Sequence, residues 1–134
     1  MTEMIFEDAT KCFACGPDNP IGLKISFNLD DENHCFGYFE ANNNHVGYED
    51  TVHGGIIFTA LDDVMANVLY LNKIKALTAK CEIRYRNPLR VGQKIKLTGW
   101  IVSQKKRLIT LKADARLNCD NKIIAECDAK FMLV

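Results

Sequence analysis

Asp62 and Asp63 interrupt an otherwise apolar run from Ile56 to Leu71. A carboxylate in such a setting is costly unless it is paired or used. A used one can take a proton from water as a general base, or attack an electrophilic carbon directly. Because the two acids are adjacent, one of them is expected simply to face water. His53-Gly54-Gly55 stands where the run begins. A helix starting there presents amide N–H groups that have no partner inside the helix, and glycine leaves them unscreened. Such donors, at the positive end of a helix, suit a carbonyl oxygen that is gaining negative charge. The same glycine pair also suits a plain close approach of helix to sheet. His53 has the chemistry to move protons near neutrality, or it can hydrogen-bond the loop and fix the helix start.

Cysteine is the other reactive type. Cys12-x-x-Cys15 offers two soft ligands, but a structural zinc site wants four, and only His34 and Cys35, folded back, would complete it. No metal is therefore expected. A redox reading of the pair needs an α/β pattern that the chain lacks. Of the six cysteines, Cys81 and Cys127 fall on the apolar phase of strand-like segments. Free buried thiols and a cytoplasmic location are the expectation.

These groups need elements to hold them. The segment up to about residue 23 reads as a loop, with Gly16-Pro17, Asn19-Pro20 and Gly22. Lys24 to Leu29 and Cys35 to Ala41 form a hairpin around Asp30 to His34, which leaves His34 exposed. Asn42 to Asp50 is another loop. From Gly54 to about Asn72 the composition favours helix, capped by Asp50 or Thr51, with apolar residues around most of its circumference. Strands follow, with apolar phases at Ala79, Cys81, Ile83 and Tyr85, then from Ile95 to Ile101, from Ile109 to Leu117, and from Ala125 to Leu133. Lys105, Lys106 and Arg107 make an exposed turn. Period-two alternation points to an antiparallel sheet, and one helix against it gives an α+β domain spanning residues 1–134.

Seventeen basic and seventeen acidic residues cancel, so no general attraction to nucleic acid or an anionic membrane is expected. The start carries Glu3, Glu7 and Asp8 and does not read as a secretory signal. No run reaches the roughly 18 consecutive apolar residues of a spanning helix.

The stretch Gly47-Tyr48-Glu49-Asp50-Thr51-Val52-His53-Gly54-Gly55, with Asp62 in the following helix, resembles the active-site region of the hotdog-fold acyl-CoA thioesterases, PaaI-like group. Cys12-Phe13-Ala14-Cys15-Gly16-Pro17-Asp18-Asn19-Pro20-Ile21-Gly22-Leu23 is similar to the leader of one subgroup. Ile83-Arg84-Tyr85-Arg86-Asn87-Pro88 with Val91-Gly92 is similar to the strand and turn after the helix. Glu49 and Asp50 stand where that branch often has proline and glycine.

The resemblance implies a curved antiparallel sheet wrapped around one long helix, and a homodimer or dimer of dimers with active sites between subunits. It implies hydrolysis of an acyl-CoA or related acyl thioester to a carboxylic acid and a thiol, with no cofactor. The alternative is a non-catalytic acyl-CoA or acyl-ligand binding protein on the same scaffold. A dehydratase has no clear histidine and acid set here. By the family pattern the acid is Asp62, nine positions after His53, and Gly54 is the oxyanion donor. Thr78 is placed to hold the attacking water, and His45 to touch the thioester or orient water. Gly55 belongs to the substrate site, with Arg84, Arg86 and Arg90 as a basic rim for coenzyme A. Eight residues of helix separate Gly54 from Asp62, about 12 Å. The two can serve one carbonyl if they come from different subunits.

Overall fold

A computed structural model of the chain describes residues 9–134. Three long strands carry the alternation most plainly: β4 (Lys94–Lys105), β5 (Leu108–Leu117) and β6 (Ile123–Leu133). Ile95, Leu97, Ile109, Leu111, Ala113, Ala115, Cys127, Ala129 and Phe131 all point into the core, while the intervening lysines and acids stay outside. β4 and β5 join through a tight turn in which Lys106 takes a positive φ of 58°. With β1 (Asn28–Leu29), β2 (Cys35–Glu40) and β3 (Ala76–Tyr85) they form one antiparallel sheet in the order β1-β2-β4-β5-β6-β3.

Across the concave side lies α1 (Gly54–Leu71), which touches every strand. Among its eighteen residues only Gly55 and Tyr70 are exposed, as the apolar circumference required. The helix backbone lies close over β4 at Gly99. A Cβ there would stand 3.2 Å from the Val64 carbonyl oxygen. This is the hotdog fold, a single long helix wrapped by a six-stranded antiparallel sheet.

Four local expectations need correction. The helix cap is His53 rather than Asp50 or Thr51. Its Nδ1 accepts from the Gly55 N–H at 2.8 Å, while Asp50 and Thr51 bind Arg90. β1 is only two residues long, because Leu23 and Ile25 spend their amides on the carbonyls of Phe13 and Ala14 in the leader. His34 is half-buried and stacks on Trp100, with ring centroids 5.8 Å apart. Finally, β3 is an edge strand paired only with β6, so Ala79 and Tyr85 are exposed and Cys81 is half-buried. A register shift between Thr78 and Lys80 carries Ala79 out of the alternation.

Candidate active site

Two chemically distinct regions line the junction of α1 with the edge strand. The first is the helix start. Extended backbone at His53, with φ −61° and ψ 132°, delivers the chain into the first turn, and the His53 ring holds the Gly55 N–H. Among the described residues nothing accepts from the N–H of Gly54, so that amide is the available donor of the pair. Opposite, the Tyr85 hydroxyl donates to the Gly54 carbonyl at 2.8 Å. A Cβ on Gly54 would lie only 3.1 Å from the Tyr85 oxygen, so the glycine lets the ring lie close against the helix start. A groove runs past this corner, bordered by Val52, Gly54, Tyr85, Arg86 and Pro88.

The second region lies two turns further along the helix. Asp62 is partly buried, and Thr78 on β3 donates its hydroxyl to Asp62 Oδ1 at 2.9 Å. Burial raises the Asp62 carboxyl above the ordinary carboxylate range, and the Thr78 hydrogen bond acts in the opposite direction. A partly buried carboxylate with one oxygen anchored keeps the other available to a proton or an electrophile. Thr78 also borders a cavity of about 250 Å³ whose apolar lining includes Ala66, Ile74, Leu77 and Phe131.

Neither acid is simply exposed, contrary to the expectation for one of the two: Asp63, like Asp62, is partly buried. It points into the same cavity, where Asn67 Nδ2 donates to its Oδ2 at 3.0 Å and the Cys12 thiol to its Oδ1 at 3.6 Å. Burial raises its carboxyl too. The third group beside Cys12 and Cys15 is therefore Asp63, and neither His34 nor Cys35 completes the set. Cys35 is buried on β2, and His34 lies by Asp30 and Glu32.

The remaining predicted residues are scattered. His45 sits in a 3-10 turn, Asn43–His45, with Nδ1 accepting from the Asn42 N–H and its ring on Phe39. It reaches the helix start only through its carbonyl, which accepts from the His53 N–H at 2.8 Å. Arg86 pairs with Glu126 at 2.5 Å, and Arg90 with Asp50 at 2.9 Å, so both charges are engaged within the chain. Arg84 is exposed on β3 opposite Glu126. Sequence reasoning missed Tyr85 as a partner of Gly54, and Asn67 as a partner of Asp63. The second had a signal, since Asp63 and Asn67 are four apart on one face of an apolar helix.

Residues 49–122 match the model of the thioesterase superfamily, and the chain belongs to that family. A crystallised thioesterase superfamily protein superposes with a TM-score of 0.83 at 24% identity, over 89% of this chain and 61% of its own. The chain thus spans about three fifths of that protein's length. The PaaI protein of E. coli, from the phenylacetic acid degradation operon, superposes at 0.77 with 19% identity, over 84% of this chain and 80% of its own. A hypothetical thioesterase of Streptococcus pneumoniae TIGR4, crystallised with coenzyme A, gives 0.76 at 15% identity, over 82% of this chain and 85% of its own. No functionally curated protein matches the chain.

Proposed function

We propose that the protein hydrolyses an acyl-CoA, or a closely related acyl thioester, at a site shared by two subunits. The observation that carries this reading is the pair Asp62–Thr78, an acid on an apolar helix held by a hydroxyl from the edge strand at 2.9 Å. Asp62 either takes a proton from water as the water oxygen bonds to the thioester carbon, or attacks that carbon itself. In both routes the carbon–sulfur bond breaks and the thiolate leaves and is protonated. The first route gives the carboxylic acid directly, while in the second water then hydrolyses the acyl–Asp62 anhydride, releasing the acid and restoring the carboxylate. The Gly54 amide stabilises the negative oxygen in between. The coenzyme A bound to the pneumococcal relative supports the choice of carrier.

The shared site follows from the edge strand. Thr78 and Tyr85 lie near opposite ends of β3, beside Asp62 and Gly54 respectively. Antiparallel pairing of two β3 strands about a two-fold axis brings the Tyr85 end of one chain to the Thr78 end of the other. Each pairing then unites one chain's Gly54 with its partner's Asp62. A ten-residue edge strand with exposed Leu77 and Tyr85 is the kind of edge that a protein covers. The product is a homodimer, or a dimer of such dimers.

The test is turnover on a panel of acyl-CoAs beside Asp62→Asn, which keeps the shape and can still accept from Thr78. The variant is expected to lose activity by about 10²- to 10⁴-fold. Unchanged hydrolysis removes Asp62 from the chemistry. Tight acyl-CoA binding by the wild type without turnover would favour a binding protein instead.

A further inference from the structure

The leader, residues 9–23, packs on α1 at Asp63 and Asn67, along a cavity that Thr78 also borders, and there two thiols and a carboxylate meet. Cys12 Sγ, Cys15 Sγ and an oxygen of Asp63 all lie within 4.8 Å of one another. We propose that Cys12, Cys15 and Asp63 bind one divalent metal ion of the zinc class, with a water molecule from the adjoining cavity as fourth ligand. This goes beyond the thioesterase reading and does not depend on it.

Three features of the geometry favour an ion over a chance cluster. The Cys12 Sγ–Asp63 Oδ1 separation is 3.6 Å. A tetrahedral zinc with sulfur at about 2.3 Å and oxygen at about 2.0–2.2 Å has a sulfur–oxygen edge of about 3.5 Å, so Cys12 and Asp63 need hardly move to share an ion. The leader also turns tightly to bring its two thiols to one side. Gly16 N–H donates to the Cys12 carbonyl at 2.8 Å, and the Cys15 N–H points at Cys12 Sγ at 3.5 Å. Gly16 is required in that turn, since a Cβ would fall 2.4 Å from the Cys12 nitrogen.

The third feature is the surrounding shell. Asn67 is the one polar residue buried in the core of the described chain. Its Nδ2 donates to Asp63 Oδ2 at 3.0 Å and lies 3.8 Å from Cys15 Sγ. The same Nδ2 also donates to the Asp63 backbone carbonyl at 2.9 Å, so the amide fixes Asp63 from outside and lies against Cys15, as outer-shell groups do at metal centres. Cys12, Cys15, Asp63 and Asn67 all border the cavity of about 250 Å³, which leaves a fourth position open to solvent. Binding replaces two thiol protons: the ion, two thiols, one carboxylate and one water give the four-coordinate complex and two released protons. The ion would tie the leader to α1 one residue from Asp62.

The experiment is cobalt(II) titration of the full reduced chain, followed by zinc displacement. The wild type should take up one cobalt per chain, with thiolate-to-cobalt absorption and tetrahedral ligand-field bands that zinc removes. Cys12→Ser and Cys15→Ser should abolish the thiolate bands. Asn67→Ala should weaken binding by about 10- to 100-fold. Cys35→Ser, a buried thiol outside the set, should bind as wild type. Alkylation read by mass spectrometry needs no variant: zinc should protect Cys12 and Cys15 but not the exposed Cys119. Reduced wild type that neither binds cobalt nor gains protection from zinc overturns the proposal. So does a Cys12→Ser/Cys15→Ser double variant that keeps the bands.

Discussion

Thr78→Val separates a hydroxyl that serves Asp62 from a residue that merely builds a strand. Valine has nearly the same shape and at least as strong a strand preference, and the position is exposed on the edge strand. What disappears is the 2.9 Å hydrogen bond to Asp62 Oδ1. A hydrogen bond to a charged group contributes about 1.5–3 kcal/mol, and exposure places this one near the lower end. At about 1.4 kcal/mol per tenfold in rate, kcat should fall about tenfold, and further if the same hydroxyl holds the attacking water. The assay is acyl-CoA hydrolysis followed through release of the free thiol, with thermal unfolding measured alongside. Activity should drop about 10- to 100-fold while Tm falls by no more than about 6 °C, which leaves the chain folded in the assay. Thr78→Ser should restore most of the rate. A valine variant within twofold of wild type, or a serine variant as poor as the valine one, refutes the assignment.

Tyr85→Phe removes the hydroxyl that donates to the Gly54 carbonyl, and should lower stability by about 0.5–1 kcal/mol, read as a small fall in the denaturant midpoint. An unchanged midpoint would mean the contact does not hold the helix start. Gly99→Ala places a Cβ 3.2 Å from the Val64 carbonyl oxygen, where helix backbone must yield. It should cost about 1–3 kcal/mol by chemical denaturation. Arg86→Ala breaks an exposed pair with Glu126 and should change stability by less than about 1 kcal/mol. If Arg86 also meets the phosphates of coenzyme A, its loss raises KM about two- to fivefold for acyl-CoA. KM for a thioester of a phosphate-free thiol should then stay unchanged.

Strand phase was legible because β4, β5 and β6 each pack one face on the same helix, which forces strict alternation. The helix was legible for the related reason that it is covered on nearly every side. β3 was harder to read, because an edge strand with a register shift at Thr78 is under weaker burial constraint. The short β1 and the setting of Asp63 share one cause. Both depend on the leader, whose backbone pairs with residues 23–25 and whose cysteines cover one flank of α1. No local pattern encodes the Leu23–Phe13 and Ile25–Ala14 bonds, or the Cys12–Asp63 contact across 51 residues. The Tyr85–Gly54 contact is likewise long-range, and Tyr85 read only as one more apolar-phase residue.

The central claim is that one chain's Gly54 and its partner's Asp62 serve the same thioester, and mixed dimers test it. Gly54→Pro deletes the amide donor at the first helical position, where the backbone tolerates proline and His53 is already extended. The Tyr85 side chain, 3.1 Å from the added Cβ, must give by a few tenths of an ångström. Asp62→Asn disables the acid. Each variant alone should be nearly inactive. Co-expressed chains that pair at random form mixed dimers half the time, each with one intact site in two, so about a quarter of wild-type activity should return. Mixed dimers no more active than the single variants would contradict a site built across the interface.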